Sequence, residues 1–113
     1  MKEAGKKYLS DISQAIELIE SFISNTSDYA TFENDLKTQS AVERQLIIVG
    51  EAINKFRKTE PGVSIHYDKQ IIAFRNRIVH AYDSLDNAIV WAILINHLPK
   101  LKEEIHELNT RYR

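Results

Sequence analysis

The chain has 113 residues, 43% hydrophobic and 27% charged, with a formal charge of -1; this balance fits one helical domain over residues 1–113 and argues against coating nucleic acid through global charge. With no cysteine, disulfides, thiolate zinc sites and cysteine nucleophiles are excluded, and His66, His80, His97 and His106 show no i,i+4 pairing, so neither metal nor cofactor is expected. No apolar run approaches the roughly 18 to 20 residues of a membrane span, so a cytoplasmic protein without membrane contact is expected.

Helical periodicity dominates, and no stretch combines sustained apolar and polar alternation with flanking turn signals; the sequence therefore predicts an all-α bundle of five to six helices. Residues 2 to 24 form the first amphipathic helix, with Tyr8, Ile12, Ala15, Ile16, Ile19, Phe22 and Ile23 at i,i+3 and i,i+4 spacings, and Asn25-Thr26-Ser27-Asp28 ends it. Tyr29 to Asp35 reads as a short helix. Ser40-Ala41-Val42-Glu43 fits a capping box just before a strong apolar run, in a long helix from about 38 to 58. Its Val42, Leu46, Val49, Ile53 and Phe56 make one stripe, which Ile47, Ile48 and Ala52 widen. Thr59-Glu60-Pro61-Gly62 stops it. A fourth helix is predicted over 65 to 82, and Asp83-Ser84-Leu85-Asp86 is the next break. Asp86 is the N-cap candidate of a fifth helix holding Ile89, Val90, Trp91, Ile93, Leu94 and Leu98. Pro99 either kinks this helix or sits in the first turn of a sixth, 99 to 110, with Leu101, Ile105 and Leu108.

The chemistry concentrates in the fourth helix, where Arg75, Asn76, Arg77, His80 and Tyr82 fall within about two turns. Arginine is the side chain best shaped to hold phosphoryl oxygens, and histidine both accepts and donates a proton near neutrality. At about 100° per residue, with Arg75 at zero, Tyr82 lies near 340°, Asn76 near 100° and His80 near 140°, all on one half of the cylinder. Arg77 points near 200°, away from that group, and is read chiefly as a salt-bridge residue with a supporting role as the alternative. Ile71, Phe74 and Ile78 occupy the arc from roughly 260° to 320° that belongs in the core.

Ile72 and Val79, near 60° and 40°, are interleaved with the polar set. A solvated face has no need of them, so this half is expected to pack against a second copy of the chain across a twofold axis. Metal-free cleavage of an RNA phosphodiester supplies a reason for two copies. A base must take the 2'-hydroxyl proton, an acid must protonate the departing 5'-oxygen, and added charge on phosphorus must be stabilised. Two His80 imidazoles can divide the first two tasks, with paired Arg75 guanidiniums holding the phosphate.

At these residues the chain resembles the HEPN superfamily, and within it the HepT-type toxins of HEPN/minimal-nucleotidyltransferase pairs. The match is to an Arg-x4-His-x-Tyr signature, here Arg75, His80 and Tyr82, with the polar residue after the arginine as Asn76. Ala41 to Leu46, Val49-Gly50-Glu51-Ala52, Asp86 to Trp91 and Leu98-Pro99 extend the similarity over most of the chain. The resemblance implies a helical bundle that forms a homodimer through its motif helices and acts as a metal-independent ribonuclease toxin on cellular RNA. It further implies that Arg75 and His80 are catalytic, that Asn76 supports them, and that Tyr82 is where a partner nucleotidyltransferase antitoxin attaches AMP. Nucleotide phosphates added there would fill a cationic cleft with negative charge.

Two further readings stay open at this stage. Glu51 is either a surface partner of Lys55 at i,i+4, the reading slightly favoured, or reaches an arginine of the motif helix and orients it. Lys55, Arg57 and Lys58 form either an RNA-guiding patch or the cations expected at a helix C-terminus. The competing class is a non-catalytic helical module that binds nucleotide or presents Tyr82 to a nucleotidyltransferase.

Overall fold

A computed structural model describes residues 1–81 and 85–112. Six helices follow in order: α1 Glu3–Phe22, α2 Tyr29–Glu33, α3 Leu36–Thr59, α4 Asp68–Ala81, α5 Asn87–Asn96 and α6 Leu98–Arg111. Among the described residues there is no strand, so the fold is the all-α bundle that the periodicity predicts. No described helix is long and apolar enough to cross a membrane.

Capping residues set where the helices begin. Asp28 starts α2 by accepting the Thr31 backbone N–H at 2.9 Å, and Asp86 starts α5 by accepting that of Ala88 at 2.8 Å. The start of α3 departs from the sequence reading. Ser40 is not a cap; Asp35 is, accepting the Thr38 N–H at 3.0 Å and its hydroxyl at 2.6 Å, so the helix begins before the apparent capping box. A carboxylate with two local donors outcompetes a serine five residues into the same helix. Glu43 consequently serves no cap; it lies half-buried along α3, and burial pushes its carboxyl above the usual range.

α3 is the central element, lying along α1 on one side and α4 on the other, while α6 packs on α1 and α5 rests on α6 and α2. Leu9, Ile12, Ile16 and Ile19 of α1 meet Val42, Val49, Ile53 and Phe56 of α3 in one apolar cluster, all at most 1% exposed. Burying side chains of this size contributes about 1.5 to 3 kcal/mol each before entropic costs. Among the described residues Gln39 is the buried polar side chain of this core. Its Nε2 donates to the carbonyls of Phe32 and Glu33 at 2.8 and 3.0 Å, satisfying the end of α2. Phe32 then packs its ring 5.3 Å from Trp91 and joins α2 to α5.

The fourth helix is shorter than predicted. Residues 61–67 form turns and irregular backbone, with Tyr67 in the left-handed region at φ 64°, and α4 starts at Asp68. The Glu104 carboxylate of α6 accepts the His66 backbone N–H at 2.7 Å, which holds this connection against the bundle. The predicted end at Tyr82 and the break at Asp83-Ser84 lie outside the described residues. Pro99 lies in the first turn of α6, where its missing N–H costs nothing, so it begins a helix and does not kink one.

Two donors from Thr38, its hydroxyl before its backbone N–H, hold the Asp35 carboxyl below the ordinary carboxylate range. A depressed folded-state pKa adds stability above the unfolded value, and that stability is lost as pH falls through the folded one. Asp35→Ala is therefore expected to lower the melting temperature at pH 7, with the difference from wild type narrowing as thermal scans move to pH 3 and below.

Candidate active site on the fourth helix

α4 is held against α3 at a glycine. A Cβ built on Gly50 would collide with Cβ and Cγ of Arg75 and lie 3.5 Å from the Ile71 carbonyl oxygen, so the two backbones approach here only because position 50 has no side chain. A glycine inside a 24-residue helix costs roughly 0.5 to 1 kcal/mol relative to alanine. That cost is offset by the close helix packing it permits. Phe74 and Ile78 are buried along the same seam and Ile71 is half-buried, as the wheel predicts.

The arginine that crosses Gly50 is then fixed from two sides. Its Nη2 donates to Glu51 Oε1 at 2.8 Å, and its Nη1 donates to Asn76 Oδ1 at 2.9 Å. The structure thus pairs Glu51 with the motif arginine, and the favoured alternative, Lys55, is not its partner. With the Arg75 and Glu51 side chains 27% and 43% exposed, the ion pair adds about 1 kcal/mol of stability or less. Its main consequence is orientation. Among the described residues the buried Nε of Arg75 has no acceptor, so of the five guanidinium N–H groups two are engaged there, and one on each Nη is left without a described partner. Two N–H groups on adjacent nitrogens match a pair of phosphoryl oxygens.

His80 is placed differently. It is exposed in the last turn of α4, about 7.5 Å along the axis from Arg75 and about 140° around it. The guanidinium is drawn toward Glu51 of α3, while His80 lies exposed on the next turn of the helix. Asn76 is exposed between them, Ile72 is half-buried, and Val79 is 40% exposed. Tyr82 lies outside the described residues. Arg77 is exposed and makes no ion pair with another described residue, so the salt bridge expected of it is absent there. Arg57 faces Asp68 at 3.8 Å, a cation spent partly on closing the α3 to α4 connection.

Sequence reasoning missed what Gly50 does. Its signal was present as a helix-interior glycine beside the one acidic residue in an otherwise apolar stretch, but only the neighbouring helix reveals what approaches it.

A helical bundle with an arginine clamped across the α3–α4 seam and a histidine five residues on defines a HEPN-type domain. A family model described as Ribonuclease HepT-like matches residues 12–108, and the chain belongs to that family. It is 36% identical to a Thermococcus cleftensis protein named as a probable ribonuclease HepT, over 96% of this chain and 98% of that protein. Two Methanocaldococcus jannaschii proteins named as candidate RNases are 33% and 32% identical, covering 88% and 95% of this chain and 92% and 88% of their own lengths. No solved structure matched the chain.

Gly50→Ala is expected to destabilise the protein by about 1 to 3 kcal/mol, the usual cost of forcing a methyl into a packed seam. The loss should appear in urea unfolding as a lower midpoint with an unchanged slope.

Proposed function

We propose that this protein is a metal-independent endoribonuclease acting on cellular RNA, either tRNA or mRNA, through a composite site at a homodimer seam. Its biological role in this reading is that of a toxin, neutralised when a partner nucleotidyltransferase antitoxin attaches AMP to Tyr82. The observation that carries the reading is the Arg75 fork, held by Glu51 and Asn76 with one N–H on each Nη not engaged by any described residue, set about 140° around α4 from His80. Membership of the HepT-like family and relatives named as ribonucleases support the same chemistry.

In this mechanism the scissile phosphate lies between two copies of α4. Arg75 guanidiniums hold its non-bridging oxygens and stabilise the charge that builds on phosphorus. One His80, neutral, takes the 2'-hydroxyl proton; the oxygen attacks phosphorus, and the bond to the 5'-oxygen breaks. The second His80, protonated, gives its proton to that leaving oxygen, producing a 2',3'-cyclic phosphate and a 5'-hydroxyl end. Proton count and charge are thereby balanced without an external group. Asn76 supports the reaction by holding Nη1 of Arg75, and Glu51 is a positioning residue acting on Nη2. The apolar Ile72 and Val79 supply the twofold contact. AMP attachment closes the site: the Tyr82 phenolic oxygen displaces pyrophosphate from ATP, and the new phosphate occupies the cationic cleft.

In EDTA, the wild-type protein is expected to cut tRNA or mRNA to ends bearing a cyclic phosphate. Arg75→Ala and His80→Ala should each slow this by at least about a hundredfold. Equal fragments from all three proteins would mean that the activity is not theirs. With the partner enzyme and ATP, mass spectrometry should find added AMP on wild type and none on Tyr82→Phe.

A further inference from the structure

The face of α4 turned away from Val79 borders a cleft of about 560 Å³. Gln70, Ala73 and Arg77 form its α4 wall, near 220°, 160° and about 200° on the helical wheel. Ile89 and Ile93 of α5 form the facing wall, and apolar side chains of α3 and α6 make the floor. The cleft exists because α5 rests on α2 and α6, leaving a gap to α4. Tyr67 and His97 close its far end with rings 5.6 Å apart, and Tyr67 holds its left-handed backbone there. For a bulky side chain that conformation carries strain of order 1–3 kcal/mol, and such strain clusters at ligand sites.

We propose that this cleft receives one unpaired nucleobase of the RNA, from a nucleotide beside the phosphate held at Arg75 and His80, with Arg77 meeting a backbone phosphate at its mouth. The inference rests on the ribonuclease reading and adds a specificity pocket to it. Arg77 and His80 are i,i+3 neighbours with Cβ atoms about 5 to 6 Å apart, so the cleft opens directly beside the reacting group. Its volume lies in the range of small-molecule sites, roughly 300 to 1,000 Å³, and its apolar lining with a few polar groups at the rim suits such a ligand. A base has apolar faces and a hydrogen-bonding edge, so it stacks on rings such as Tyr67 and His97 while Gln70 meets its edge. The apolar stripe of a partner helix would leave these polar groups unmet. A chain of net charge -1 also gains little RNA affinity from global electrostatics, so a buried base supplies what charge does not.

The test uses the His80→Ala protein and labelled single-stranded RNA hexamers, intact or with one abasic nucleotide at each position in turn, read by fluorescence anisotropy. Removing the base at one position should weaken binding by about tenfold, with little effect at the others. Ala73→Leu, which fills the cleft with a good helix former, and Ala73→Met should each bring the intact-to-abasic ratio at that position close to one. Arg77→Ala should weaken both RNAs alike, by about fivefold or more, as loss of a phosphate contact does. A ratio near one at every position, no measurable RNA binding, or a ratio untouched by Ala73→Leu would overturn the proposal. So would an Ala73→Leu protein whose oligomeric state changes while its base preference does not, since that places protein in the cleft. If base-selective binding is found and wild type cuts no RNA, the pocket stands and the ribonuclease reading falls; base-blind cleavage gives the reverse.

Discussion

The structure depends on one crossing: the side chain of Arg75 passing over the bare backbone of Gly50 to reach Glu51. The guanidinium of Arg75 takes its position from this contact. The crossing sets how closely α4 lies on α3 and turns one wheel position, which would otherwise be solvated, into a half-buried cation with two of its donors engaged. An arginine free on a helix surface loses about 2 kcal/mol of rotamer entropy when it grips a ligand. Here part of that ordering is done by folding, so in the proposed reaction the guanidinium would meet a phosphate already oriented.

The same contact divides α4 into three sectors. The arc from Phe74 to Arg75 faces α3, the arc of Val79 and Asn76 is exposed with Ile72 half-buried between them, and the arc of Ala73 and Arg77 faces the cleft toward α5. His80 sits on the border between the second and third. In the proposed mechanism that border lets His80 serve a phosphate from one side and a base from the other, which one buried helix face cannot do. The apolar character of α5, which presents Ile89 and Ile93 and has no charged residue between Asn87 and Asn96, is what makes the third sector a cleft and not a solvated trough.

Much of this was legible in the chain. The apolar stripes gave α1, α3 and α6 to within about two residues at most boundaries, the Asp86 cap marked α5, and the wheel placed Phe74 and Ile78 in the core. The cap of α3 was not legible because the later Ser40–Glu43 pattern imitates a capping box, while the true cap, Asp35, stands next to the end of α2 and before an exposed Leu36. The late start of α4 was hidden for a related reason: Ile65 is buried and keeps the helical rhythm, while the backbone between it and Asp68 passes through the left-handed turn at Tyr67 with no glycine to announce it. Pairings across helices were the least legible. Glu51 has one partner within reach along its own helix and another on α4, and only the close approach at Gly50 decides between them.

The central claim is that Glu51 acts on RNA through Arg75 and by no other route, and a double-mutant cycle on kcat/KM for RNA cleavage tests it most directly. Glu51→Gln alone should cost about tenfold, and added to Arg75→Ala it should cost less than about twofold more. Losses that simply multiply in the double mutant would show that the two residues act independently, and would contradict the account.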